Sequence, residues 1–161
     1  MKALKYLSFG MLLLLVNSTT IWAQSLADFV DPFIGTATVG HTYPSATTPF
    51  GMVQVGPDTG VKGWEYCPGY HSKDNSIIGF SHTHLSGTGA ADMGDILIMP
   101  MTGEPKFDAG DKEKPGSGYR SQFSHSSEVA RPGYYSVKLD DYNVLAEMTV
   151  SPRVGFHRYT F

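Results

Sequence analysis

The densest chemistry in the sequence lies between Gly63 and Asp95, GWEYCPGYHSKDNSIIGFSHTHLSGTGAADMGD. This stretch holds one of the two tryptophans, the single cysteine, three of the six histidines, and a run of small residues carrying Asp92 and Asp95. Aromatics, imidazoles, carboxylates and hydroxyls at this density make poor core and suit a surface that grips a polar ligand. An aromatic strand pair joined by a glycine-rich turn is the plainer alternative.

Several chemistries compete for these residues. His82 and His84, one residue apart on an expected strand, share a face, with Asp92 and Asp95 within reach across a turn, yet the strong zinc spacings are absent. Cys67 reads as a small buried residue. A catalytic thiol needs a paired base and an activating environment, and only His71 is near in sequence. Gly-x-Ser-x-Gly does not occur, so a serine nucleophile elbow has no support. Asp58, Glu65, Asp92 and Asp95 supply carboxylates for glycoside hydrolysis, but no spacing picks an acid and a base. The Asp108–Asp111 loop lacks the EF-hand pattern for calcium. Sugar binding asks for less: a tryptophan face for the apolar side of a ring, and His, Ser and Asp for its hydroxyls. Trp64 with Glu65, Tyr66, His82, His84 and Ser86 suffices for that.

The elements that must hold these groups are strands. The 161 residues allow one domain with a real core, and 41% apolar against 17% charged content is globular. Eighteen glycines, ten prolines and nine each of Phe and Tyr favour turns and strands. Residues 1–23 read as a secretory signal: Lys2 and Lys5, an apolar run over Leu7–Val16, and a cleavage site after Ala23. That run is too short for a permanent membrane span, and export is expected to the periplasm or beyond. Removing Lys2 and Lys5 leaves ten basic against fifteen acidic side chains. This balance, with no basic cluster, argues against nucleic acid.

Alternation predicts strands at Gly51–Gly56, Trp64–Tyr70 (interrupted by Pro68-Gly69), Ser76–His84, Asp95–Pro100 (apolar on both faces), Tyr119–Ser124, Tyr134–Leu139, Asn143–Val150 and Arg153–Phe161. Thr36–Pro49 reads as an ordered loop and Gly103–Gly118 as a polar one. No window shows sustained helical periodicity. The fold class is all-β, an antiparallel β-sandwich spanning 24–161. Phe161 closes a strand-like run with no turn or polar tail after it, so a longer protein is expected.

Several runs together resemble glycoside hydrolase family 92: Phe33–Thr36, His41–Pro44, Thr48–Gln54, Gly69–His71, Ile77–Gly89, Gly94–Leu97, Pro132–Val137 and Pro152–Thr160. The resemblance covers about residues 28–161. It implies the N-terminal β-supersandwich of an exported, inverting exo-α-mannosidase, often α-1,2-specific. In that family the sandwich packs on a C-terminal (α/α)6 barrel, and a calcium ion engages the mannose hydroxyls. The catalytic acid and base and the calcium ligands lie mainly in the barrel, so none is assigned in this chain, which is expected to be inactive alone. Substrate contacts are carried over to Trp64 (a distal-sugar platform), Cys67, His82, His84 and Asp92. A free-standing module for mannose-containing glycans and a truncation product without function remain alternatives.

Overall fold

The computed structural model describes residues 25–86 and 94–161, all of them in strands, short 3-10 turns and loops. A 3-10 turn at Leu26–Phe29 opens them, with Ser25 and Asp28 closing a reciprocal capping box. Three short strands then form one layer: β1 (Ala46–Thr47), β2 (Gln54–Asp58) and β4 (Gly79–Ser81), in the order β1-β2-β4. Strands β3 (Ser76–Ile77) and β5 (Ser121–Gln122) pair with each other. The last third forms a four-stranded sheet from β6 (Val129–Arg131), β7 (Tyr134–Leu139), β8 (Val144–Val150) and β9 (Gly155–Thr160) in sequential order. Every pairing is antiparallel.

The four-stranded sheet follows the period-2 pattern of its sequence. Tyr135, Val137 and Leu139 of β7 point inward with Val144, Ala146 and Met148 of β8, while Leu145 and Thr149 face out. This apolar face meets Val55, Ile77, Phe80 and Phe123 from the opposite side, which makes the core of a sandwich. The layers also meet at Gly155, where a Cβ would come within 2.5 Å of Val55 Cγ2. Pro57 lies inside β2 rather than ending it, paired with Phe80 beyond the short β1, so its missing N–H leaves no gap in the β1 ladder.

Three expected strands take other forms. Trp64–Tyr70 is a 3-10 turn at Trp64–Tyr66 followed by a tight bend. Its backbone is satisfied locally, with the N–H groups of Tyr66, Cys67 and Gly69 donating to the carbonyls of Gly63, Trp64 and Tyr66. Ser76–His84 is broken into β3 and β4 at Ile78, whose N–H donates to Asp58 O at 2.8 Å. Ile77, Ile78 and Phe80 are therefore all buried instead of alternating. Asp95–Pro100 contributes one bridge, Ile98 with Phe80. Ile96 sits at φ 56°, outside the extended region, and is 72% exposed.

Candidate functional site

Trp64 is carried on the 3-10 turn that Gly63 enters at φ 99°. Its indole is 56% exposed and meets the His41 ring edge-on, with centroids 4.8 Å apart at 72°. His41 is buried, on a loop residue at φ 52°. An exposed aromatic face propped on a buried ring is a rigid platform, because the prop limits the rotamers open to the indole. Cys67 follows at 2% exposure, and both its N–H and its thiol donate to Trp64 O, at 3.3 and 2.9 Å. It shapes the turn from inside.

Beneath this turn lies a buried ion pair. His84 Nε2 stands 3.2 Å from Asp58 Oδ1, and His84 Nδ1 donates to Gln54 O at 2.9 Å. Asp58 Oδ2 accepts from Ser81 N at 2.9 Å. Burial opposes charge on the His84 imidazole, but the Asp58 carboxylate, its hydrogen bond and the carbonyls of Gln54 and Pro57 outweigh it and raise the pKa above the ordinary histidine value. Gly69 closes the Trp64 bend directly over this pair. Its φ is 81°, and a Cβ there would fall 2.3 Å from Asp58 Oδ1. Thr59 N completes the tie by donating to Gly69 O at 2.8 Å.

The expected shared face of His82 and His84 does not exist, because β4 ends at Ser81 and the two rings part. His82 Nδ1 donates to Ile96 O at 2.9 Å, leaving Nε2 as acceptor for His157 Nε2–H at 3.0 Å. His157 Nδ1 in turn accepts from Tyr159 O–H at 2.7 Å. Partial burial and the neighbouring His82 lower the His157 pKa to about 4, so the His157 ring is neutral at physiological pH. Burial also pushes the Tyr159 phenol up to about 12.

The five residues expected to touch substrate thus separate. Trp64 is exposed and His82 partly so. Cys67 and His84, each 2% exposed, are interior groups. In this structure Cys67 faces the inside of the Trp64 turn and His84 faces Asp58. Asp92 lies outside the described residues. Of the other carboxylates, Asp58 is committed to His84, and Asp95 accepts from Thr83 Oγ1 at 3.3 Å. Among the described residues no group of three or more His, Cys, Asp or Glu side chains could hold a metal ion. The sequence offers Asp58 only as one of four possible hydrolytic carboxylates and His41 only within a rigid Gly/Thr/Pro loop. Nothing in it joins either to Trp64, or His157 to His82.

A two-layer antiparallel β-domain whose loops present one propped tryptophan above a buried ion pair defines the class of the molecule. Residues 29–161 match the glycosyl hydrolase family 92 N-terminal domain. The chain belongs to glycoside hydrolase family 92. An uncharacterized secreted glycosidase of Arthroderma benhamiae is 33% identical over a 140-residue alignment that covers 83% of this chain and 17% of that protein. Among solved structures, the family GH92 alpha-mannosidase BT3965 from Bacteroides thetaiotaomicron, in complex with mannoimidazole, superposes with a TM-score of 0.83. It shares 48% identity, over 86% of this chain and 18% of its own. The family GH92 inverting mannosidase BT2199 from the same species gives 0.63 at 27% identity, over 86% and 19%. The chain therefore spans less than a fifth of each of these relatives. No helix among the described residues is long and apolar enough to cross a membrane.

Proposed function

We propose that this chain is the substrate-gripping wall of an exported exo-α-mannosidase that trims mannose-containing glycans, α-1,2-linked ones first. The supporting observation is Trp64, exposed yet held edge-on by buried His41, on a turn braced by the Asp58–His84 pair. Such a platform stacks on the apolar face of a pyranose while neighbouring polar groups take its hydroxyls. Inversion needs an acid and a base about 6.5–9.5 Å apart with a water between them. Asp58 is unsuited to either role, being buried and ion-paired. The family resemblance assigns the acid, the base and the calcium ligands to a C-terminal (α/α)6 barrel, where calcium would engage the mannose hydroxyls. This chain's own task is to bind and orient the sugar.

The test compares the chain alone with the same chain joined to the C-terminal remainder of a family 92 α-mannosidase, each given α-1,2-linked mannobiose and calcium. Mannose release by the joined protein and none by the chain alone is expected. Turnover by the chain alone would move the catalytic machinery into residues 24–161.

A further inference from the structure

A polar cleft of ≈ 630 Å³ opens beside the 3-10 turn, with Glu65 and Tyr66 but not Trp64 in its lining. Glu65, Tyr66, His71, Asp74, Lys112 and Gln122 are among its walls. Three polar atoms of these residues are buried without a hydrogen-bond partner: His71 Nε2, Asp74 Oδ2 and Gln122 Nε2. His71 is 3% exposed and Asp74 8%. Buried polar atoms are nearly always paired, and three orphans around one cleft indicate an absent partner.

The donors and acceptors define that partner. His71 Nδ1 accepts from Lys73 N at 3.1 Å, which places the ring proton on Nε2, so this atom is a donor. Gln122 Nε2 is also a donor, and Asp74 Oδ2 is an acceptor. Asp74 Oδ1 is already used, accepting from Tyr66 O–H at 3.1 Å and lying 3.5 Å from Lys112 Nζ. An anion would face the Asp74 carboxylate, and a cation would compete with Lys112 already there. A hydroxyl satisfies the set, because it can accept from an imidazole N–H and donate to a carboxylate at once. Lys112 spans the cleft on a side chain that is 45% exposed. An ion pair this exposed contributes little, so the arm swings aside at small cost.

We propose that the cleft walled by Tyr66, His71, Asp74 and Gln122 is a second binding site, for a neutral cyclic polyol such as a pyranose, separate from the Trp64 platform. It stands whether or not Trp64 contacts substrate.

Titrating the 161-residue chain with methyl α-D-mannopyranoside, and separately with myo-inositol, while following the His71 ring and Gln122 amide by NMR, tests it. Saturable shifts at both groups are expected. Response to the mannoside alone identifies a sugar site, and response to both identifies a general cyclic-polyol site. Asp74→Asn should weaken binding about tenfold, the scale of a lost hydrogen bond to a charged group. Trp64→Ala should leave these shifts unchanged. Where Asp74→Asn fails to fold, Gln122→Leu, outside the Tyr66–Lys112 contacts, should weaken binding at least threefold. No saturable response to either probe, or shifts that Trp64→Ala abolishes while Asp74→Asn or Gln122→Leu spares them, overturns the proposal.

Discussion

The Asp58–His84 pair carries the Trp64 turn, and its energetics follow from its burial. Removing one partner of a buried ion pair leaves an uncompensated charge and costs about 3–5 kcal/mol. Asp58→Asn should therefore lower unfolding stability by about that amount, read as a reduced urea midpoint. The pair also has a pH signature. The folded state keeps the His84 proton above pH 6.5, where the unfolded imidazole has lost it, so the stabilisation is complete below about 6.5 and disappears as pH rises through the raised folded value. His157 works in the opposite sense. Between about 6.5 and about 4 the unfolded chain binds a proton that the folded relay refuses, so its stabilisation is present above 6.5 and lost as pH falls toward 4. Urea midpoints measured from pH 4 to 9 should pass through a maximum. His157→Gln should flatten the acid limb, and an unchanged acid limb would place the loss elsewhere.

At the scale of elements, β7 and β8 were legible because one face is buried and the other wet, which writes the core into alternate residues. Val144, Ala146 and Met148 fall inside as their spacing requires. The Trp64 region departs from the strand its aromatic content suits, because Gly63 at φ 99° and Gly69 at φ 81° impose turns that composition alone does not reveal. The run Ile96–Met99 looked like a buried strand, yet the backbone leaves the extended region at Ile96. The candidate site was half legible: Trp64 announced itself by type, whereas its prop His41 and its base Asp58 are joined to it only by long-range packing. Gly69→Ala should show how tightly bend and base fit. Strain at positive φ and the collision with Asp58 should destabilise the fold by more than about 1 kcal/mol, measured by thermal melting.

For the whole molecule, surface composition matters as much as the core. Phe50, Met52, Val154 and Phe156 are exposed, and among the described residues β9 has a ladder partner on one side only. Apolar surface beside an open strand edge favours association. The chain should therefore self-associate as concentration rises in sedimentation experiments, and a monomer throughout would show that these surfaces are self-sufficient. The chain belongs to glycoside hydrolase family 92, and the task proposed for its propped indole is to stack on the sugar. The most direct measurement is kcat/KM for α-1,2-linked mannobiose in the chain joined to a family 92 C-terminal part, with Trp64 intact and with Trp64→Ala. A fall of tenfold or more, about 1.4 kcal/mol of lost transition-state binding, is predicted with the fold unchanged. Equal values for the two proteins would contradict the role of Trp64 as the sugar platform.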